Sequence, residues 1–396
     1  MAPRVLALAL LWLACAAQAQ TTEATGVVFS DRNGNGQLDP GERGIPRVAV
    51  SNQEAVVLTD AAGRYQIAGG GSGIVFVSVP DGYRAVGGFW HAPASSRSQD
   101  FALAPIPKVT RFTFIHGSDT HVAPPVVARM QRFRAMADSI NPAFVIITGD
   151  LVRDALRVGE AEATGYYELF GREVAAFRNP VWTVPGNHEN FGIERERSHV
   201  SASHPLYGRG MYRRYRGPDY YSFTYGGVHF VGLNSVDIDD QWYYGHVDRV
   251  QLEWLKRDLA TIPANMPVVT FNHIPFFTAV ETINGYMDSP PAPTSIVVGG
   301  TTYFRHSVSN AKDVITAIGL SRYPIALGGH MHVRERLVYD GVPTRFYQTA
   351  AVVGPSEGGG ISFPSGITLY RVTNGKIDDG TFVPLVMPSR DSSQHP

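Results

Sequence analysis

Five short apolar stretches of this 396-residue sequence are each followed at once by side chains that bind metal ions. Each stretch has the length and the β-branched or aromatic content of a buried strand. The groups that follow are imidazoles, carboxylates and one amide, which are common ligands of divalent transition metals. In chain order they are Asp119 and His121, Asp150, Asn187 with His188, His273, and His330 with His332. One ligand chemistry repeated after every strand predicts a single metal cluster.

The stretches between these strands have helical spacing, so the region after Lys108 is expected to be an α/β domain. We predict helices at 126–140, 160–177, 247–262 and 311–320. In an α/β sheet, ligands collect beyond the carboxyl ends of the strands. This is where the polar groups would meet.

The motifs resemble the complete ordered set of the calcineurin-like metallophosphoesterases, over residues 108–350. They are Asp119-x-His121, Gly149-Asp150, Gly186-Asn187-His188-Glu189, His273 and Gly329-His330-x-His332. The resemblance implies a four-layer α/β/β/α sandwich and a metal-dependent phosphoric ester hydrolase. It also implies a first ion on Asp119, His121, Asp150 and His332, and a second ion on Asp150, Asn187, His273 and His330. Asp150 would bridge the ions, and His188 would protonate the leaving oxygen or stabilise developing charge.

Two cations held by a shared carboxylate can hydrolyse phosphate esters without a protein nucleophile. Such ions, roughly 3.5–4 Å apart, clamp the attacking and leaving oxygens and activate water near neutral pH. The sequence has no evident Ser or Cys nucleophile motif, in keeping with direct attack by water. Oxygen and imidazole ligands leave Mn, Zn, Fe and Mg all open.

Some residues near the motifs can be interpreted in two ways. Glu189 and Asp154 could each orient His188, or be ordinary surface carboxylates. The segment 191–221 could form a phosphate-side wall or a solvated insertion. Its test residues are Arg195, Arg197 and His199. The histidines without motif spacing are not assigned to the site: His91, His116, His199, His204, His229, His246, His306 and His395.

Residues 24–105 have the pattern of a small all-β sandwich that resembles prealbumin-like or Cna-B-type modules. Residues 351–396 are expected to complete the catalytic fold. Within the module, Asp31-Arg32-Asn33-Gly34-Asn35-Gly36-Gln37-Leu38-Asp39-Pro40-Gly41-Glu42 has the spacing of an EF-hand calcium loop without its helices. A structural calcium ion on a β-module is one reading, and a solvated turn is the other. The candidate ligands are Asp31, Asn33, Asn35, Gln37, Asp39 and Glu42.

Residues 1–19 have the layout of a secretory signal peptide. Arg4 precedes an apolar run that is too short to span a bilayer, and Ala17-Gln18-Ala19 offers a cleavage site. We therefore expect a periplasmic or secreted protein, with lipidation at Cys15 as the alternative. No later stretch predicts a transmembrane segment, and the sequence does not indicate an oligomeric state.

The net charge of −1 argues against broad nucleic-acid binding, which needs a basic face. A small phosphate-ester substrate remains the expected partner. Two other functions stay open, namely a non-catalytic, metal-loaded cell-surface binding protein and a phospholipase- or nuclease-type phosphodiesterase. Phe276 and Phe277 after His273 are a faint indication of the exposed apolar loops of a phospholipase.

Overall fold

The computed structural model of the chain describes residues 23–92, 98–281, 294–358 and 360–388. The predicted signal peptide with Cys15, and His395 near the C-terminus, lie outside the described residues. In the part of the chain that is described, no helix has both the length and the apolar character needed to cross a bilayer.

The N-terminal region consists of two four-stranded sheets. Its strands are β1 (Ala24–Ser30), β2 (Ala49–Ser51), β3 (Val56–Leu58), β4 (Arg64–Ile67), β5 (Val75–Val77), β6 (Tyr83–Val86), β7 (Trp90–His91) and β8 (Phe101–Pro105). The sheet orders are β4-β1-β8-β6 and β3-β2-β5-β7. In β4 the residues alternate between exposed and buried, so that Tyr65 and Ile67 enter the core. The predicted all-β region is confirmed.

Two six-stranded sheets form the centre of the following α/β region. The first has the order β11-β10-β9-β24-β25, with β26 also paired to β24, and the second has the order β12-β13-β16-β19-β21-β20. The strands of the first sheet are β9 (Arg111–Gly117), β10 (Phe144–Thr148), β11 (Val181–Val184), β24 (Gly366–Thr373), β25 (Lys376–Ile377) and β26 (Thr381–Pro384). Those of the second are β12 (Tyr221–Tyr225), β13 (Val228–Gly232), β16 (Val268–Phe271), β19 (Ile325–Gly328), β20 (Glu335–Leu337) and β21 (Arg345–Gln348).

Helices cover the outer faces of both sheets. They are α1 (Val127–Ile140), α2 (Glu160–Ala175), α3 (Arg195–Ser198), α4 (Arg209–Arg216), α5 (Arg249–Leu259) and α6 (Ala311–Ile318), with single 3-10 turns at Asn187–Glu189 and Leu320–Arg322. Helices α1 and α2 share one buried cluster with β9 and β10. Phe114 and Phe144 of the first sheet pack edge-on against Phe230 of the second, between the sheets. The predicted four-layer α/β/β/α sandwich is thereby confirmed.

Three two-stranded ribbons complete the described strands. They are β14 (Val236–Asp239) with β15 (Trp242–Gly245), β17 (Ser295–Val298) with β18 (Thr301–Phe304), and β22 (Ser356–Gly358) with β23 (Ile361–Phe363). The four predicted helices are confirmed with ends that differ by up to three residues. Residues 376–384 do not form one continuous strand, because Gly380 has a φ of 71° and separates β25 from β26.

The N-terminal region packs directly on the α/β region. Gln53 donates its side-chain amide to Asp219 Oδ1 at 3.0 Å, and the Tyr220 hydroxyl donates to Gln53 O at 2.6 Å. Trp254 of α5 donates its indole N–H to Ser51 Oγ at 3.1 Å. All five residues are buried, so these bonds are shielded from water and fix the contact between the two regions.

Candidate metal centre

The strand ends bring the candidate ligands together in two groups that share one carboxylate. Asp119, His121, Asp150 and His332 form the first group, and Asp150, His273 and His330 form the second. Within each group the ligand atoms lie within 4.8 Å of one another, and no other such group occurs among the residues that the structure describes. The first sheet supplies Asp119, His121 and Asp150, and the second supplies the remaining histidines. The centre therefore bridges the two sheets.

The backbone at these positions is held in an unfavourable conformation. Eleven described non-glycine residues have positive φ, and five of them are candidate ligands. These five are Asp119, His121, Asp150, His330 and His332. Such angles are costly for residues with a Cβ and persist where the surrounding structure imposes them. The neighbouring Gly149 is necessary for packing, since a Cβ there would lie 2.6 Å from His273 Nδ1.

In the first group, the nitrogen and oxygen atoms that could bind a metal lie close together. His121 Nε2 lies 3.2 Å from His332 Nε2 and 3.5 Å from Asp150 Oδ2. His332 Nε2 lies 3.3 Å from Asp119 Oδ1. The other nitrogen of His121, Nδ1, lies 3.4 Å from the carbonyl oxygen of Arg153, to which it donates. Its Nε2 is then free to bind a metal.

The second group has the same arrangement around His273. Its Nε2 lies 3.0 Å from Asn187 Oδ1, 3.1 Å from His330 Nδ1 and 3.3 Å from Asp150 Oδ1. Its Nδ1 donates to the carbonyl oxygen of Thr148 at 2.8 Å, which leaves Nε2 unprotonated in the neutral ring. Asn187, which was predicted from its motif, therefore joins this group through its amide oxygen.

These residues fit a pair of metal ions. Two ligands that each lie about 2.1 Å from one ion are roughly 3.0–3.4 Å apart at the usual coordination angles, and most of the measured separations fall in this range. One N–H could not satisfy the three atoms that surround His273 Nε2. In the first group, Asp119 Oδ1 is buried and has no hydrogen-bond partner within the described part of the chain. A positive ion at each group would satisfy these atoms.

The electrostatics keep the carboxylates ionised. Burial alone would raise the pKa of Asp150, but the neighbouring His273, His188 and His121 outweigh it and hold that pKa well below its usual range. Burial lowers the pKa of the His121 imidazole to about 4, which favours the neutral form that binds metal. Burial opposes protonation of His273 as well, yet the Asp150 charge raises the pKa of His273 to about 9. Loading the centre should therefore displace a proton from His273.

His188 stands beside both groups without belonging to either. Its Nδ1 donates to the Arg153 carbonyl oxygen at 2.7 Å, so its Nε2 is the atom turned toward the centre, 3.9 Å from Asp150 Oδ2. The ring meets that of His121 edge to face, with 4.6 Å between centroids. The side chain is 20% exposed, so a ligand from solvent can reach Nε2. One backbone carbonyl thus orients both His188 and His121.

Neither carboxylate considered as the partner of His188 is hydrogen-bonded to its ring. Asp154 Oδ1 is 4.0 Å from His188 Nδ1, and its other oxygen pairs with Arg157 at 3.2 Å. Glu189 is buried and accepts backbone N–H groups from Leu151, Val152 and Gly186, at 2.5–3.0 Å. Burial and the Asp150 charge raise the pKa of Glu189 to about 8. Glu189 therefore joins the two loops that carry Asp150 and Asn187.

The segment 191–221 ties its candidate residues to other protein groups. Arg195 pairs with Asp240 and donates to the Tyr207 hydroxyl, Arg197 pairs with Glu194 at 3.5 Å, and His199 ends α3 in a left-handed conformation.

The exposed apolar loop that Phe276 and Phe277 indicated is wrong, because Phe276 is buried and Phe277 packs edge-on against Phe346.

Among the histidines that were not assigned to the site, His116 and His229 are buried core residues. His116 contacts Thr148 Oγ1 at 2.9 Å, and His229 pairs with Asp258 at 2.8 Å. His306 differs, because it contacts the candidate ligand His330. It follows no motif, and no feature of the sequence placed it near the centre.

The calcium-like loop closes on itself through its own hydrogen bonds. The buried Asp31 carboxylate accepts from Gly34 N at 2.6 Å and Gly36 N at 2.8 Å, and Glu42 accepts from Arg32 N at 2.8 Å. Asp39 accepts from the amides of Asn33 and Asn35, which lowers its pKa. Calcium binding at this loop stays a prediction.

Two regions of the chain match sequence models of known protein families. The sequence model of the calcineurin-like phosphoesterase family matches residues 112–334, and the model for the N-terminal region of such phosphoesterases matches residues 32–103. A dimetal phosphatase structure from Danio rerio is 16% identical, with a TM-score of 0.46 over 69% of this chain and 96% of that chain.

Two curated relatives with low sequence identity to this chain carry names of cyclic-nucleotide phosphodiesterases. The 3',5'-cyclic adenosine monophosphate phosphodiesterase CpdA of Escherichia coli (strain K12) is 23% identical over 53% of this chain and 64% of its own length. A 3',5'-cyclic-nucleotide phosphodiesterase of Nostoc sp. is 25% identical over 56% of this chain and 68% of its own length. The family match covers more than half of the sequence and includes the two ligand groups. The chain belongs to the calcineurin-like phosphoesterase family.

Proposed function

We propose that this protein is an exported phosphoesterase that uses two metal ions to hydrolyse small phosphomonoesters or phosphodiesters with water. The observation that carries the proposal is the pair of ligand groups that share Asp150, with His188 next to them. The metals would be held by Asp119, His121, Asp150 and His332 on one side, and by Asp150, Asn187, His273 and His330 on the other. When bound, the ions supply an activated water and neutralise charge on the phosphate.

The protein groups have separate tasks in this reaction. Asp150 offers one oxygen to each group, which sets the spacing of the two sites. The Arg153 carbonyl holds the His188 ring so that Nε2 faces the substrate side. From there a protonated His188 can give its Nε2 proton to the leaving oxygen, or donate a hydrogen bond to the phosphate. Because Nδ1 is already occupied, the proton is delivered from one defined atom.

Phosphodiesters are the first substrates to test. Both curated relatives carry names of cyclic-nucleotide phosphodiesterases, and the proposal takes only the substrate class from them. Cyclic nucleotides form the second candidate within that class. The net charge of −1 supports small esters over nucleic acid. A non-catalytic, metal-loaded binding protein is the competing hypothesis, against which the position of His188 counts.

The proposal also includes export of the protein, the limits of its domains and a structural calcium ion in the loop of residues 31–42. The layout of residues 1–19 supports export to the periplasm or medium, and the N-terminal region 24–105 supports a separate module of prealbumin-like type. The hydrogen bonds of Gln53 and Trp254 support a module that packs on the catalytic region of residues 108–350. Chain cleavage after Ala19 can be checked by mass spectrometry of protein recovered from the periplasm.

The test uses protein without residues 1–19, stripped of metal and reloaded with Mn²⁺ or Zn²⁺. Turnover would be measured with p-nitrophenyl phosphate, bis-p-nitrophenyl phosphate and a 3',5'-cyclic nucleotide. We expect metal-dependent release, and the ratio of the two nitrophenyl rates gives the preference for monoesters or diesters. Two bound ions without turnover of any ester would instead favour the binding-protein hypothesis.

A further inference from the structure

His306 lies against His330 at the ring nitrogen that does not face the metal centre. His330 Nδ1 points to His273 Nε2 at 3.1 Å, whereas His330 Nε2 is 2.7 Å from His306 Nδ1. The two ring planes are within 22° of parallel, with centroids 4.9 Å apart. A short separation between nearly coplanar rings is the geometry of an in-plane N–H···N hydrogen bond.

The hydrogen bond determines which nitrogen of His330 carries the proton. A neutral imidazole has one N–H, and a metal needs the lone pair of the other nitrogen. If His306 Nδ1 accepts, then His330 keeps its proton on Nε2 and leaves Nδ1 unprotonated toward the second group. His306 in turn carries its proton on Nε2, which is 3.8 Å from Glu281 Oε1. That distance is too long for a direct hydrogen bond, yet the negative carboxylate still favours this tautomer.

Two backbone hydrogen bonds hold the segment that directly follows His306. Val308 N donates to Pro275 O at 2.9 Å, and Ser309 N donates to Gly245 O at 2.8 Å. A Cβ at Gly245 would overlap the carbonyl of Ser307, so the glycine is what permits this close contact. The His306 side chain itself is 22% exposed. These backbone contacts therefore hold His306 in place beside His330.

We propose that His306 is a positioning residue that fixes the tautomer and ring plane of His330 and thereby tightens the second metal site. The proposal rests on the dinuclear centre of the proposed function. Outer partners of metal-binding histidines typically change metal affinity by about 10- to 100-fold. Among the described residues, the candidate ligand that His306 contacts is His330, which belongs to the second group, so the effect is expected at the second ion.

The experiment measures the two dissociation constants by equilibrium dialysis of metal-free protein against Mn²⁺, and the visible spectrum of the Co²⁺-loaded protein. The variants are His306→Ala, which removes the acceptor, and His306→Asn, whose amide oxygen can stand near the Nδ1 position. His246→Ala is the matched control. His246 is exposed to a similar extent, 20%, but its partner is Asp237 and not a candidate ligand.

We expect His306→Ala to raise the second dissociation constant about 10- to 100-fold and to change the Co²⁺ spectrum, with the first constant unaltered. His306→Asn should recover most of the affinity, and His246→Ala should bind like the parent. Two ions bound with unchanged constants in His306→Ala would overturn this inference and leave the proposed function standing. An equal loss at both sites with a lower melting temperature of the metal-free variant would assign His306 a merely structural role. Fewer than two ions on the parent protein would overturn both proposals.

Discussion

Replacing His188 tests the chemical step separately from metal binding. His188→Ala removes the Nε2 proton donor and one hydrogen bond to the Arg153 carbonyl, but no member of either ligand group. A lost general acid costs about 10²- to 10⁴-fold in rate, which corresponds to about 3–5 kcal/mol of barrier. The effect on folding should be small, about 1 kcal/mol, because only one hydrogen bond is removed from a partly exposed ring.

The assay compares leaving groups, since proton donation matters most when the leaving oxygen is basic. Phenol is a much weaker acid than p-nitrophenol. In His188→Ala, kcat for diphenyl phosphate should therefore fall by a larger factor than kcat for bis-p-nitrophenyl phosphate. His188→Asn is the control for structure, because its amide can still donate to the Arg153 carbonyl while it cannot transfer a proton. We expect both variants to retain two ions per chain and to lose activity alike.

Equal losses for the two leaving groups would refute proton donation and favour a hydrogen bond to the phosphate. Loss of bound metal in either variant would refute the position of His188 outside the ligand groups.

Three further predictions concern the shared ligand, the contact between the regions and the N-terminal loop. Asp150→Asn should weaken both ions and abolish turnover, as measured by metal content after gel filtration; retention of two ions would contradict a bridging role. Burial opposes ionisation of Asp219, but Arg213 and Arg209 outweigh it and lower its pKa to about 2. Against an unfolded value of 3.8, this shift contributes about 2 kcal/mol of stability above pH 4, which is lost as the pH falls from about 4 toward 2. Urea unfolding should show the stability difference between Asp219→Asn and the parent shrinking over that range; a constant difference would exclude the linkage. If the loop binds calcium, Asp31→Ala should abolish the rise in melting temperature on adding Ca²⁺ without changing turnover. An unchanged melting temperature of the parent protein on adding Ca²⁺ would exclude a structural calcium site in this loop.

The sequence was sufficient to predict which candidate ligands lie together, because each one follows a strand with a clear apolar pattern. Asp119, Asp150 and His273 occur at the ends of β9, β10 and β16, and parallel strands bring their carboxyl ends to one edge. The helices were predicted for the same reason, since their apolar faces repeat at helical spacing. Their ends shifted because capping depends on local geometry.

Other features depend on contacts that no spacing reveals. The partner of His188 is the backbone carbonyl of Arg153, and every residue has such a carbonyl. Glu189 follows a motif histidine, yet it binds backbone N–H groups of the Asp150 loop. His306 reaches His330 only because the segment after β18 is held against Gly245 and Pro275. Tertiary packing determines all three.

Hydrolysis by a dinuclear centre is tested most directly by measuring turnover of bis-p-nitrophenyl phosphate as Mn²⁺ or Zn²⁺ is added to metal-free protein in known equivalents. Two groups joined by Asp150 predict that activity rises with metal and reaches its plateau at two equivalents per chain. Full activity at one equivalent, or activity that persists in the metal-free protein, would contradict hydrolysis by a dinuclear centre.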